Sequence, residues 1–176
     1  MTKATAKTPL RIALLEESSL RPLVVDGLGA IGAAHRGYFD LAIRPAFADS
    51  LDIDEALKPG HEHENRWDYL LGHSASGHLV AIEPHSAKQD EISTVIKKRS
   101  AAREQLKGHL HDGIRIAKWL WVASGKVHFA DTEKARRLLD QNGIEFVGTK
   151  VSRKHLPVTS PNLPQGAKGG SSRGRQ

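Results

Sequence analysis

Two stretches in the middle of the chain alternate between apolar and polar or small residues, as half-buried β-strands do. They are residues 66–73, RWDYLLGH, and residues 78–87, HLVAIEPHSA, and the short segment SASG separates them. The pattern predicts a β-hairpin. A four-residue loop at 74–77 places Asp68 opposite Glu83, whereas a two-residue turn at 76–77 places Asp68 opposite His85. Either register puts Asp68, Glu83 and His85 on one face, because side chains alternate with period two.

The chain after this hairpin predicts helices and strands in alternation. Apolar residues recur at helical spacing over about 88–110, namely Ile92, Val95, Ile96, Ala102 and Leu106. The segment IAKWLWVAS that follows is apolar on both faces, which is typical of a central buried strand. A second helix begins at Asp131 or Thr132 and ends at Asn142-Gly143, before a final strand IEFVG.

Residues 78–147 therefore predict the order strand, helix, strand, helix, strand. Such crossovers normally join parallel neighbours with a right-handed connection. We expect an α/β fold, in which a mixed sheet combines the antiparallel hairpin with strand-helix-strand crossovers and carries helices on both faces.

The chain before the hairpin gives weaker signals. Residues 18–37 are compatible with a helix that three glycines weaken, residues 38–45 with a strand, and residues 46–65 with a polar loop containing a short helix or strand. We expect a flexible leader over 1–17, a single α/β domain over 18–152 and a disordered basic tail over 153–176, because the end of the chain is rich in Pro, Gly and Ser.

Composition narrows the class of protein. The net charge is +6, and residues 150–176 carry six basic and no acidic residues, so the rest of the chain is balanced. Without cysteine, disulfides and thiolate metal sites are excluded. No secretory signal or run of transmembrane length is present. We therefore expect a cytoplasmic protein with no membrane partner.

The paired carboxylates are the first candidate site. An acid inside the apolar run LVAIEP is costly unless it is paired or metal-bound. Asp68 and Glu83 on adjacent strands could hold Mg²⁺ or Mn²⁺, and His85 on the same face could orient a water or act as a general base. The alternative is a structural role, with Glu83 paired to Arg66 or Lys118. The other face of the hairpin is predicted to carry the bulky residues Trp67, Tyr69, Leu71, Val80 and Ile82.

The same elements resemble the PD-(D/E)XK nuclease superfamily, in which an Asp precedes a Glu-x-Lys on the next strand and a helix follows. Asp68 and Glu83 match the two metal-binding acids of that pattern, but His85 stands where the pattern has lysine. The resemblance is to a divergent branch with Glu-x-His, in which Lys97 or Lys88 on the following helix could replace the lysine.

The resemblance implies a Mg²⁺-dependent nuclease with His85 and Lys97 as catalytic residues. A basic helix face adds Lys98, Arg99 and Arg103 as candidate nucleic-acid contacts. The alternative is a catalytically inactive nuclease-fold protein that binds nucleic acid or a protein partner, as an accessory or immunity component or as a homodimer.

Two further motifs predict other sites. The segment GLGAIG, residues 27–32, matches the GxGxxG of dinucleotide-binding proteins, which requires a strand-helix-strand unit around it. The segment HEHE, residues 61–64, offers histidines but no closed zinc-ligand spacing. A small dinucleotide-binding protein is therefore a second alternative.

Overall fold

The chain folds into six strands and five α-helices in a computed structural model that describes residues 6–128 and 133–159. The strands are β1 (Val25–Asp26), β2 (Phe47–Asp52), β3 (Tyr69–His73), β4 (Leu79–Ala87), β5 (Ile116–Val127) and β6 (Ile144–Phe146). The helices are α1 (Pro9–Ala13), α2 (Ala33–Arg36), α3 (Ile53–Leu57), α4 (Glu91–Leu106) and α5 (Glu133–Gln141). Three short 3₁₀ helices cover Arg21–Leu23, Leu41–Ala46 and Arg153–His155.

The strands form one mixed sheet in the order β1-β2-β3-β4-β5-β6. The first four strands are antiparallel neighbours, whereas β4, β5 and β6 are parallel. Helix α4 connects β4 to β5 and helix α5 connects β5 to β6, as βαβ units require. The predicted α/β class, with a hairpin followed by two crossovers, is confirmed.

The hairpin between β3 and β4 has the register of the four-residue loop. Tyr69 pairs with Ile82 and Gly72 with Leu79, and the His73 amide donates to the His78 carbonyl at 2.9 Å. Gly77 in the loop has a φ of 70°, which a residue with a Cβ rarely adopts. This register continues to Asp68 opposite Glu83, so the alternative pairing of Asp68 with His85 is wrong.

Two hydrophobic layers cover the two faces of the sheet. One layer packs α1, α3, α4 and α5 on Leu70, Ala81, Trp119 and Trp121. The other packs Ile43 of the 3₁₀ helix Leu41–Ala46, together with Val151 and Leu156, on Leu71, Val80, Ile82 and Leu120. The structure places Trp67 in the first layer, where its ring meets Trp119 edge to face at 5.1 Å. The prediction for Trp67 is therefore wrong, because Trp67 precedes β3 and does not follow its alternation.

The start of the chain is more ordered than we expected. Helix α1 buries Leu10 and Ala13, and the Asp49 carboxylate accepts the amides of Leu10 and Arg11 at 3.1–3.2 Å. These bonds satisfy amides at a helix N-terminus that have no partner within the helix. The predicted leader over 1–17 is thus corrected: from Pro9 onward it belongs to the core, whereas residues 1–5 lie outside the described part.

The end of the domain also extends further than predicted. Val151 and Leu156 are buried in the second layer, and His155 closes a capping box with Ser152. Residues 153–159 therefore continue the domain, and residues 160–176 of the predicted disordered tail lie outside the described residues, as do Asp131 and Thr132.

In the region before β3, the strand and the helices lie at other positions along the chain than the sequence predicts. Residues 41–46 form a 3₁₀ helix instead of a strand, and the strand is β2, at 47–52. The GLGAIG segment follows the two-residue β1, which is antiparallel to β2, and precedes a helix of only four residues. The strand-helix-strand unit of a dinucleotide site is therefore not formed there.

Within the described part of the chain, none of the helices combines the length and the apolar character that crossing a bilayer requires.

Candidate functional site

The candidate site lies where β4 extends past the end of β3. The ladder between these strands ends at Tyr69 and Ile82, so Pro84 interrupts no pairing with β3. Glu83, the first residue beyond the ladder, has 0% of its side chain exposed. Its Oε2 accepts the Asp68 amide at 2.9 Å. The buried Glu83 side chain, just beyond the end of the ladder, thus holds the backbone of Asp68.

Lys98 of α4 joins the two carboxylates. Its Nζ donates to Glu83 Oε1 and lies 3.7 Å from Asp68 Oδ1. Burial of an unpaired carboxylate would be strongly unfavourable, and Lys98 supplies the positive charge that Glu83 needs. One ammonium group thus lies between two acids from adjacent strands, and the prediction that Asp68 and Glu83 face the same side is confirmed.

The surroundings of the Asp68 carboxyl disfavour its charged form. Burial and the neighbouring Glu83 charge raise the pKa of Asp68 to about 7, although Lys98 partly offsets this rise. The side chain remains 23% exposed, so it is open to water on one side. The nearby lysine is therefore not enough to keep Asp68 fully ionised at neutral pH.

His85 lies beside the carboxylates and is held from both sides. Its Nδ1 lies 3.4 Å from Glu83 Oε1, and its Nε2 lies 2.9 Å from Glu91 Oε2 at the start of α4. The Trp121 indole also donates to the His85 carbonyl at 3.2 Å. The hydrogen bond to Glu83 raises the pKa of His85, burial opposes this rise, and the hydrogen bond to Glu91 adds to it. With a carboxylate at each ring nitrogen, the protonated imidazolium is favoured.

The structure changes the assignments on α4. Lys97 is exposed, as is Lys88, whereas Lys98 points at the carboxylates. Lys98, and not the expected Lys97, therefore lies beside the carboxylates, and it is not a free contact for nucleic acid. Arg99 and Arg103 lie apart from the carboxylates, along a cavity on another side of α4.

The alternative partners expected for Glu83, Arg66 and Lys118, form ion pairs with other residues. Arg66 pairs with Asp54 at 2.9 Å, and Lys118 approaches Glu145 at 3.5 Å. Neither is the partner of Glu83. Helical phase could have identified the true partner, because Lys98 follows Val95 by three residues and precedes Ala102 by four, and both neighbours are buried. Glu91 was missed as well, and its acidic side chain in the first turn of a helix gave no specific signal.

The HEHE segment makes its own contacts away from this cluster. His61 pairs with Glu64, whose carboxylate also accepts from the Gln105 amide at 3.0 Å. Across residues 6–128 and 133–159, no three His, Cys, Asp or Glu side chains are grouped closely enough to hold a metal ion between them.

Two carboxylates nevertheless suit one kind of ion. Mg²⁺ commonly binds through one or two carboxylates and keeps several of its waters. Asp68 and Glu83 provide two such groups, and a cation beside them would oppose the burial and the Glu83 charge that raise the pKa of Asp68 to about 7. The donor set therefore fits Mg²⁺ or Mn²⁺ held by Asp68 and Glu83, with water or a backbone carbonyl completing the shell.

Comparison with models of known protein families, with curated proteins and with solved structures gives no match.

Proposed function

We propose that the protein is a metal-dependent nuclease, which hydrolyses phosphodiester bonds in DNA or RNA. The observation that carries the proposal is Lys98 Nζ in contact with both Asp68 and Glu83. It supplies the lysine that the strand lacks at His85. The order of β3, β4, α4 and β5 supports the same proposal, because it agrees with the resemblance to the PD-(D/E)XK superfamily.

The residues of the chain divide the work of hydrolysis between them. A water attacks phosphorus and releases a proton to bulk solvent, the ester bond to the leaving oxygen breaks, and that oxygen takes up a proton from the protein. Asp68 and Glu83 would hold Mg²⁺ or Mn²⁺, which supplies charge neutralisation and a more acidic water. The Lys98 ammonium stabilises the negative charge that grows on the phosphate oxygens.

His85 is assigned the proton transfer. The hydrogen bond to Glu83 raises the pKa of His85, which favours the imidazolium that would deliver a proton to the leaving oxygen. This differs from the predicted role as a base, which requires the neutral imidazole. Glu91 keeps the ring oriented through Nε2, so it is a positioning residue.

A cleavage assay with purified protein tests the proposal. Single- and double-stranded DNA and RNA are incubated with Mg²⁺ or Mn²⁺, and the rate is compared for wild type, Asp68→Asn and Glu83→Gln. We expect cleavage that requires the metal and falls at least about a hundredfold in both variants, since each removes an assigned ligand. Lys97→Met is the matched control and should retain the wild-type rate. Cleavage that survives both carboxylate substitutions would refute the site.

One observation favours a second candidate. Both oxygens of Glu83 already have partners, Lys98 at Oε1 and the Asp68 amide at Oε2. Such a closed network could stabilise the fold without a metal, as in an inactive nuclease-fold protein that binds nucleic acid or a protein partner. If no substrate is cleaved in Mg²⁺ or Mn²⁺, and the folded protein still binds DNA or RNA, this second candidate replaces the first.

A further inference from the structure

A cavity of about 570 Å³ lies between the C-terminal half of α4 and the start of β5. Arg99, Arg103 and Lys107 line it from the helix, and Arg115 and Trp119 line it from the strand side. The residues of the carboxylate site do not line it, since that site is at the other end of α4, where Glu91 meets His85. The cavity is therefore a separate feature of the surface.

The charge of this cavity is strongly positive. Four cationic side chains line it, and Asp112 is the single carboxylate among the lining residues. Lys107 pairs with Glu104 at 2.7 Å. No ion pair joins Arg99, Arg103 or Arg115 to a carboxylate of residues 6–128 or 133–159. Three guanidinium groups thus share one concave surface, and none of them forms an ion pair with a described carboxylate.

Arg99 is held in place although it has no ionic partner among residues 6–128 and 133–159. Its guanidinium carbon lies 5.2 Å from the centre of the Trp119 ring, within the range of a cation–π interaction. A Cβ on Gly143 would lie only 2.8 Å from Arg99 Nη2, so the turn after α5 also confines the group. The Arg99 Nε is buried with no hydrogen-bond partner in the described structure. This arginine is therefore pre-organised and has unused donor capacity.

We propose that this cavity binds phosphate groups, either those of a nucleic-acid backbone or those of a free nucleotide. Arginine presents planar paired donors that match phosphate oxygens, and several fixed arginines match a ligand with several phosphates. A volume of about 570 Å³ is within the size range of small-ligand pockets. The inference is independent of the nuclease proposal, because binding here needs neither the carboxylates nor a metal.

Binding of three probes to the full chain tests the inference. The probes are inorganic phosphate, ATP and a 5′-phosphorylated 16-nucleotide DNA, measured by calorimetry or fluorescence anisotropy in buffer with EDTA. The variant is Arg103→Gln with Arg115→Gln, since both side chains are exposed and one lies on α4 and the other just before β5. The matched control is Lys97→Gln with Arg153→Gln, which removes the same charge from exposed positions outside the cavity.

We expect ATP or the DNA to bind to the wild type and to bind at least about tenfold more weakly to the cavity variant, as lost charge-assisted hydrogen bonds dictate. The control pair should change affinity less than about threefold. If only the affinity for the DNA falls in the cavity variant, the phosphate groups that the cavity binds are those of a nucleic-acid backbone. If the affinity for ATP falls as well, they are those of a free nucleotide. Absence of binding by the wild type, or equal losses in the two double variants, would overturn the proposal.

Discussion

The substitution Asp68→Asn should stabilise the protein above neutral pH while it removes a proposed metal ligand. In the folded protein the pKa of Asp68 is about 7, against the ordinary value of 3.8. Burial is the main cause, followed by the negative charge of Glu83. A group of this kind binds an extra proton in the folded state between these two values, so it makes stability fall as pH rises from about 4 to 7.

The size of this effect follows from the shift. Each pKa unit corresponds to about 1.4 kcal/mol, so a rise from 3.8 to about 7 gives at most about 4 kcal/mol. Because 23% of the side chain is exposed to water, screening reduces the expected gain to about 2 kcal/mol. The amide introduced by Asp68→Asn carries no charge, so the variant should gain this stability above pH 7 and almost none below pH 4.

Urea unfolding followed by tryptophan fluorescence from pH 4 to 9 measures the gain. The three tryptophans are buried, so they report on the loss of the core. Asp140→Asn, at an exposed position of α5, is the matched control and should leave the pH dependence unchanged. A parallel pH dependence for wild type and Asp68→Asn, or a loss of stability at pH 8, would refute the electrostatic account of the site.

Three other predictions concern the same network and the packing behind it. Lys98→Met leaves the buried Glu83 carboxylate without its cation, and it should cost about 3 kcal/mol of unfolding free energy at pH 7, measured in urea. Glu91→Gln removes the carboxylate at Nε2 of His85 and should lower the pKa of His85, which an NMR titration of the imidazole measures. Gly72→Ala places a Cβ 2.1 Å from Asp49 Oδ1, so it should displace α1 and cost about 3 kcal/mol.

Each of these predictions has a control and an outcome that contradicts it. Lys97→Met should change stability by less than about 0.5 kcal/mol, and an equally small loss in Lys98→Met would contradict the buried pair. An unchanged His85 titration in Glu91→Gln would show that the two groups do not interact. Gly37→Ala meets no atom within 4 Å and has a φ of −62°, so it should be tolerated, and a tolerated Gly72→Ala would contradict the close approach of Asp49.

The hairpin and the crossovers could be predicted because their signals are local. Alternation over 66–87 identified the two strands but left two registers open, and the structure has the register of the four-residue loop. The apolar segment 116–124 predicted its position between two other strands, where β5 lies. Such patterns depend on burial on one or both faces of a strand, which the sequence records directly.

The docking of α1 depended on contacts between distant parts of the chain. Its N-terminal amides are satisfied by Asp49, 39 residues beyond Leu10, and nothing near residues 9–13 predicts this partner. Gly72 leaves room for α1, because a Cβ at this position would meet Asp49 and Pro9. The sequence around Gly72 does not predict these two neighbours. Long-range hydrogen bonds of this kind escape local patterns, so the local sequence predicts a leader where the fold has a docked helix.

The phase of α4 explains why Lys98, and not the expected Lys97, meets the carboxylates. A helix that buries Val95 and Ala102 against the sheet turns residue 98 toward the sheet and residue 97 toward solvent. The periodicity was present in the sequence, but a lysine on a buried face looks unfavourable until its acidic partners on the neighbouring strands are known. The two carboxylates thus account for a lysine on the buried face of α4, and the lysine accounts for the burial of the acids.

A crystal of the protein soaked in Mn²⁺ at pH 8 tests the central claim most directly, because anomalous scattering locates the ion. The account predicts a Mn²⁺ ion bound by carboxylate oxygens of Asp68 and Glu83, beside Lys98. The same soak of Asp68→Asn crystals should show a much weaker peak. A wild-type crystal with no ion at these oxygens, and with Lys98 still bridging them in millimolar Mn²⁺, would contradict the metal-dependent site.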